Sequence, residues 1–405
     1  MKKHTKIYLS LALIMVAGLM IALAGCKPKG GEEGKKEAAG AVKEYKIGAI
    51  LSVTGKASFL GDPEKKTLEM LEADINKKGG INGVPVKIII EDDQGDENIA
   101  KTAAMKLIDK DGVLAIIGPS QSGTSMAIID IADSKKVPLI SCAAAEAIVN
   151  PVKEWVFKTP QKDSYVAELI LGQMKKDGIT NIAMFSDNSG FGQGGDKQIK
   201  AFADKYGVKL VIDESYDAKG ATKDDLSTLL TKVKADSKIQ AVINWSITPS
   251  QTLFPVLMKQ LDMSKIKLFQ SHGFGNIKYV KAAGDAANGV VFPAGRLLVA
   301  DALPDSNPQK KTLVDYKTEY EKTYGEDVST FGGHAYDAFW LIVKAIEKAG
   351  ADKAKIRDEI ENTQSFPGTG GIFNMSKTDH NGLTIDSLEM LTVKDGKFAL
   401  LNEAK

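Results

Sequence analysis

Short apolar runs alternate with longer segments of helical periodicity from Tyr45 onward. The run YKIGAIL predicts a strand, and DPEKKTLEMLEADINKKGG predicts a helix with Asp62 as N-cap and Pro63 in the first helical position. Further strands are predicted in VPVKIIIED, VLAIIG and VPLIS, with helices that begin near Asn98 and Ser122. Strands this apolar are buried on both faces, which indicates a parallel sheet covered by helices on each side.

The alternation restarts at Asp163. The helix DSYVAELILGQMKKDG precedes the strands NIAMFSD, VKLVIDESY, IQAVINW and KLFQSHG, which are separated by helices, one of them containing Pro255. After GVVFPAG come two long helices, at about 308–324 and 331–348, and the hairpin-like SLEMLTVKDGKFALL. We therefore predict an α/β protein of two doubly wound, Rossmann-like lobes with a cleft between them.

The cleft should be lined by the loops that follow the strands, because ligands of such sheets lie outside the carboxyl ends of the strands. These loops are GPSQSGT, SCAAAEA, SDNSGFGQGG, NWSITPS and QSHGFGN. In the first, Gly118 and Gly123 have the spacing of a phosphate loop, but Thr124 stands where the phosphate-binding Lys would be. The loop therefore suits a smaller anion such as a carboxylate.

The first residues carry an export signal. Lys2, Lys3 and Lys6 precede a charge-free run over residues 7–25, and the run ends in LAGC, which is similar to the lipobox in which bacterial lipoproteins are lipidated on Cys, here Cys26. A signal anchor that spans the membrane is the alternative. Residues 26–44 are rich in Gly and charge, which is typical of a flexible tether. We expect a signal peptide over 1–25 and an exported protein held on a membrane by lipid.

Composition argues against several partners. The chain has 53 Lys and Arg against 52 Asp and Glu, so it offers no basic field for nucleic acid. Its 4 His and 2 Cys show no ligand spacing, and we expect neither a metal nor a cofactor. With Cys26 lipidated, Cys142 has no partner for a disulfide.

The segment GFGQGG, Gly190 to Gly195, fits the dinucleotide fingerprint G-x-G-x-x-G and follows a predicted strand. Asp213 and Glu214 stand at about the distance of the ribose-binding acid. An exported protein has no nicotinamide pool, however, and Phe191 would crowd the pyrophosphate. We reject dinucleotide binding.

An enzymatic site would need a nucleophile with a base. Ser122 and His272 both fall on cleft loops, but no G-x-S-x-G elbow surrounds any Ser and nothing in the sequence orients the His. His334, near the start of a helix, is expected to be packed rather than reactive. We predict that the protein is not an enzyme.

Several motifs in order carry a family resemblance. They are the S-G-x₅-G and D-I-N-x-x-G-G-I-x-G pattern of ILSVTGKASFLGDPEKKTLEMLEADINKKGGING, the segment EDDQGDENIAKTAAMKLI, and the late Y-D-A helix FGGHAYDAFWLIVKAIEKAG. From Tyr45 to its C-terminus the chain resembles the type I periplasmic substrate-binding proteins of branched-chain amino acid (Leu/Ile/Val) ABC transporters.

The resemblance implies an architecture and a role. Three crossover strands, near 158–160, 292–295 and 382–384, would join an N-terminal lobe (45–159 plus 294–382) to a C-terminal lobe (160–293 plus 383–405). Rotation about them would close the cleft over a small ligand, and a monomer would deliver it to an ABC permease and its ATPase. A sensor or regulatory lobe of the same fold is the alternative role.

The resemblance also assigns a site. Ser122 and the backbone N–H of Ala143 would hold the ligand carboxylate, although Ser122 could instead be a helix N-cap. Leucine-binding relatives have an acid and a Thr for the ligand ammonium where this chain has His272 and Ala145, and their disulfide falls at Gly95 and Gln121. The ligand is thus an apolar amino acid or, alternatively, a branched or aromatic carboxylate without the amine, which a His cation would assist. The predicted apolar walls are Leu60, Phe191, Trp245, Ile247 and Phe331.

Overall fold

A five-stranded sheet organises the first half of the chain in the computed structural model, which describes residues 42–402. Its strands are β1 (Tyr45–Leu51), β2 (Val86–Asp92), β3 (Ile116–Ile117), β4 (Leu139–Ser141) and β5 (Val156–Lys158). All pair in parallel, in the spatial order β2-β1-β3-β4-β5. The connecting helices are α1 (Ser58–Lys77), α2 (Glu97–Met105), which continues as a π-helical segment Lys106–Asp111, and α3 (Ser122–Lys135).

A seven-stranded sheet organises the next part. Its helices are α4 (Asp163–Lys176), α5 (Gly190–Tyr206), α6 (Lys223–Ala235), α7 (Ser250–Gln260) and α8 (Ile277–Ala283). The remaining strands within residues 42–402 are β6 (Asn181–Asp187), β7 (Lys209–Tyr216), β8 (Ala241–Trp245), β9 (Lys267–Gln270), β10 (Val291–Gly295), β11 (Phe366–Pro367), β12 (Ile372–Phe373), β13 (Leu388–Lys394) and β14 (Lys397–Leu400). The sheet has the order β14-β13-β10-β9-β8-β6-β7, with the hairpin β13–β14 antiparallel at its edge, while β11 and β12 form a separate ribbon. The predicted two-sheet α/β class is confirmed.

The late helices return to the first sheet. These are α9 (Lys310–Tyr324), α10 (Thr330–Ala349) and α11 (Lys353–Glu361), and their buried Leu313, Phe339 and Ile356 share one core with Ile47 of β1. We call the first sheet with these helices the first lobe, and the second sheet with α4–α8 the second lobe. Since β10 keeps residues 294 and 295 in the second sheet, it runs past the 293/294 boundary drawn from sequence, and the lobe boundaries stay a prediction.

The start of α1 differs from the prediction. The helix begins at Ser58, so Asp62 is not its N-cap and Pro63 lies inside it. A proline in a helix leaves the carbonyl four residues earlier without its donor. That carbonyl belongs to Phe59, and Asn276 of the second lobe donates to it from Nδ2 (2.9 Å). The extra turn is therefore supported by the other lobe, which local sequence could not reveal.

The predicted signal peptide and the predicted lipidation site Cys26 lie outside the described residues, as does most of the predicted tether. Its last residues, 42–44, are exposed and have no regular structure before β1. Over residues 42–402, none of the helices is both long and apolar enough for a membrane span.

Candidate ligand-binding site

A buried cavity lies between the lobes at the carboxyl ends of the strands. The first lobe, the second lobe and the crossover after β5 all contribute to its wall. The lining residues are Leu60, Ser120, Ser122, Cys142, Ala143, Ala144, Pro160, Phe191, Ile247, His272, Gly273, Thr330, Phe331 and His334. We call this space the interlobe cavity. Of the nine residues assigned from sequence, seven line it, and Ala145 and Trp245 do not.

Hydroxyl and backbone N–H groups form one wall of the cavity. The Oγ atom of Ser122 accepts a hydrogen bond from the N–H of Ala145 (3.2 Å). The N–H of Ala143 donates to Ser141 Oγ (3.1 Å), which is itself paired with Ser125. Gln121, not Ser122, occupies the N-cap position of α3, and no side chain caps this helix. Its first-turn N–H groups and the Ser122 hydroxyl thus remain suited to a small anion.

The apolar part of the wall is centred on Phe191. Its ring lies 5.2 Å from the ring of His272 and 5.9 Å from that of Trp245. Trp245 is fully buried behind these two side chains rather than on the cavity surface. The expectation that it lines the site is therefore wrong, and its role is to support the rings that do.

His272 and His334 face the cavity from opposite lobes. Only 7 % of His272 and 5 % of His334 is exposed. Burial, and then the positive charge of Lys158, lower the pKa of each imidazole to about 3. Both rings are therefore neutral near pH 7, which contradicts the expected His cation. His334 also lines the cavity instead of being only packed.

These low pKa values predict that the buried imidazoles destabilise the folded protein as the pH falls. Between pH 6.5 and 3 the unfolded chain binds more protons at His272 than the folded chain, so this residue lowers the free energy of unfolding as the pH falls. Burial raises the pKa of Asp163, and it raises the pKa of Asp337 to about 7, so these two acids act in the opposite sense. We expect the free energy of unfolding of His272→Gln to rise by about 2 kcal/mol relative to that of the wild type as the pH falls from 6.5 to 4.5. Urea unfolding at both pH values measures this gain, and an unchanged difference between the proteins would contradict it.

A buried pair of opposite charges lies next to the imidazoles. Lys158 is fully buried, and its Nζ donates to the carbonyl oxygens of Ala144 (2.6 Å) and Gln161 (3.2 Å). Asp163 is also fully buried, and its Oδ1 lies 3.7 Å from His272 Nε2. Neither carboxylate oxygen of Asp163 has a hydrogen-bond partner in the described part of the chain. Sequence reasoning missed both residues because 109 or more positions separate each from His272 and His334.

A second buried acid, Glu64, stands behind the first-lobe wall. Its Oε2 accepts a hydrogen bond from Ser120, while its Oε1 is without a partner among residues 42–402. Burial raises the pKa of Glu64 well above its usual range. Helical spacing could have found it, because Glu64 lies one turn after Leu60 on α1, just as His334 lies one turn after Phe331 on α10.

Close packing accounts for the glycines of GFGQGG. A Cβ on Gly195 would overlap the indole of Trp245, and one on Gly192 would overlap the carbonyl of Asp187. The segment opens α5 directly against β8, with Phe191 directed into the cavity. The dinucleotide-like spacing thus serves helix–sheet contact.

Cys142 is a free, buried thiol on the cavity wall. A Cβ on Gly95 would reach the side chain of Gln121, so these two positions are adjacent, although neither is Cys. No group of three or more His, Cys, Asp or Glu within 42–402 is arranged to hold a metal ion.

Comparison with known proteins identifies the family. The family model described as periplasmic binding protein matches residues 44–397. The chain belongs to this family. The type I fold and the predicted resemblance are confirmed, and the family consists of extracytoplasmic binding proteins rather than enzymes.

This chain of the periplasmic binding protein family is similar to the following relatives and solved structures. A leucine-, isoleucine-, valine-, threonine- and alanine-binding protein of Pseudomonas aeruginosa is 28% identical over 82% of this chain and 86% of its own. An extracellular ligand-binding receptor from Rhodopseudomonas palustris HaA2 superposes with a TM-score of 0.79 at 28% identity, over 88% of this chain and 99% of that one. LivJ from Streptococcus pneumoniae, solved in complex with isoleucine, shares the fold at 24% identity and a TM-score of 0.78, over 88% and 98% of the two chains.

Proposed function

We propose that the protein is a solute-binding component of an ABC importer and that it holds a small carboxylate-bearing ligand in the interlobe cavity. The observation that carries this proposal is the Ser122 hydroxyl, paired with the Ala145 N–H at the uncapped start of α3. Hydroxyl and backbone donors bind a carboxylate by charge-assisted hydrogen bonds. The names of the relatives, which bind leucine, isoleucine and valine, support an apolar amino acid.

A carboxylate without the amine is the second candidate. The residue in the position of the relatives' acid, His272, is neutral, and no acidic side chain lines the cavity within the described residues. Two acids lie directly behind the wall, however: Asp163 beside His272 and Glu64 behind Ser120. An amino acid would need one of them to compensate its ammonium.

Contacts between the lobes support closure over the ligand. The ring of Phe59 stacks on Tyr279 of the second lobe (4.8 Å between centroids), and Lys278 Nζ lies 3.3 Å from Asp62 Oδ2. We propose that these contacts form as the lobes rotate about the three crossovers. Lipid on Cys26 would hold the monomer at the membrane beside its permease. Small-angle scattering should show a more compact protein with a stabilising ligand than without one.

Thermal shift with matched ligand pairs tests the site. The panel pairs leucine with 4-methylvalerate and phenylalanine with 3-phenylpropionate. A ligand at a thousand times its Kd adds about 4 kcal/mol of stability, which gives a shift of several degrees. Stabilisation by the amino acids alone would select the first candidate, and stabilisation by the des-amino members would select the second.

We expect Ser122→Ala to weaken whichever ligand binds by about 10- to 100-fold, because a hydrogen bond to a charged group contributes about 1.5–3 kcal/mol. The matched control is Ser134→Ala, at the exposed end of the same helix, where the hydroxyl bonds only Ile131 O. Titration calorimetry compares the two variants. Equal affinities would remove Ser122 from the site and would contradict the proposal.

A further inference from the structure

We infer that the ligand carries, besides its carboxylate, a second and uncharged hydrogen-bonding group, such as a hydroxyl, and that His272 and His334 recognise it together. This inference rests on the proposed carboxylate site and adds a specificity determinant to it. It predicts that a ligand with such a group binds more tightly than its purely hydrocarbon counterpart.

The two imidazoles are placed to act on one group. His272 comes from the turn after β9 in the second lobe, and His334 comes from the first turns of α10 in the first lobe. Both line the interlobe cavity, and more than nine-tenths of each is buried. Three of their ring nitrogens, Nδ1 and Nε2 of His272 and Nδ1 of His334, have no hydrogen-bond partner within residues 42–402.

Unpaired ring nitrogens in a buried wall favour a particular ligand chemistry. A neutral imidazole offers one N–H donor and one acceptor nitrogen. A buried polar group left without a partner loses the hydrogen bonds it made to water, and a hydrocarbon cannot replace them. A hydroxyl donates and accepts at once, so it can accept from one ring and donate to the other.

The surrounding charges favour a neutral group over an ammonium or a second carboxylate. Lys158 lies behind Ala144 on the cavity wall, and Asp163 lies 3.7 Å from His272. Lys158 and Asp163 act on each other in this buried cluster, so an ion brought beside the imidazoles would need a buried counterion that a neutral group does not need. Because the rings belong to different lobes, a bridging group would also favour the closed state.

Titration calorimetry with ligand pairs that differ in one hydroxyl tests the inference. The probes are valine with threonine, phenylalanine with tyrosine, and 4-methylvalerate with 4-hydroxy-4-methylvalerate. We expect the hydroxylated member of at least one pair to bind at least tenfold more tightly to the wild-type protein. Apolar members that bind as tightly as their partners in every pair would overturn the inference.

Variants assign the preference to the imidazoles. His272→Phe and His334→Phe should each reduce the hydroxyl preference to about one, whereas Ser122→Ala should weaken both members of a pair equally and leave their ratio unchanged. A preference that persists in both histidine variants would overturn the assignment, and the wild-type comparison stands even if a variant fails to fold. If carboxylates bind and Ser122→Ala weakens them without any hydroxyl preference, only this inference fails. If no carboxylate binds, the proposed function itself fails.

Discussion

Gly195→Ala should lower the free energy of unfolding by about 3 kcal/mol and abolish ligand binding. Gly195 lies on the face of α5 that packs on β8, where an added Cβ would overlap the fully buried indole of Trp245. The indole touches the rings of Phe191 and His272, so it can yield only by displacing two residues of the cavity wall. Stability and binding should therefore be lost together.

Gly172→Ala is the matched control for this substitution. Gly172 lies inside α4 of the same lobe, and a Cβ there would meet Tyr206 at 3.6 Å, an ordinary contact. Alanine is the better helix former by about 1 kcal/mol, so this variant should keep or gain stability. Urea unfolding and calorimetry on both variants measure the contrast. Equal stabilities would show that the contact of α5 with β8 is looser than described.

Asp337→Ala should cost about 3–5 kcal/mol of stability, because it leaves buried donors without an acceptor. The carboxylate, fully buried on α10, accepts hydrogen bonds from the N–H groups of Thr369 (2.5 Å) and Gly370 (2.7 Å) and from the Thr369 hydroxyl (3.0 Å). Gly370 in turn accepts from Gln161 Nε2, next to the crossover after β5. The Asp of the Y-D-A motif thus holds the loop that packs beside this crossover.

The control for Asp337 is an exposed Asp with the same kind of bonds. Asp352 accepts from the N–H groups of Ala354 and Lys355 as the N-cap of α11. Water can replace it there, so Asp352→Ala should cost only about 1 kcal/mol. Chemical unfolding of both variants compares them. A loss at Asp337 no larger than at Asp352 would mean that water reaches residues 369 and 370.

The alternation of elements could be predicted because it depends on local periodicity. The apolar strands and the helices between them follow from side-chain spacing along a few residues. The position of the cleft could also be predicted from the sequence, since loops after parallel strands meet at one edge of a sheet. Ser122, Ile247 and His272 lie on those loops, and the structure places all three on the cavity wall.

Contacts between distant segments could not be predicted in the same way. Trp245 is a large apolar residue at the carboxyl end of β8, where a lining residue is expected. The absence of a side chain at Gly195 nevertheless lets its indole lie behind the cavity wall. Likewise, α1 starts a turn early because Asn276, 217 positions away, supplies the donor that Pro63 lacks. Neither effect leaves a signal within a window of one helix or strand.

The sequence by itself determined the fold class, the family resemblance and the edge of the sheets at which the cavity opens. Only the tertiary structure decided the charge of the cavity. It buries Lys158 and Asp163, two residues of opposite charge, close enough to interact electrostatically, and it brings His334 of α10 into the same wall as His272. Burial then keeps both imidazoles neutral, because the free energy of a buried charge depends on groups that folding brings together from both lobes.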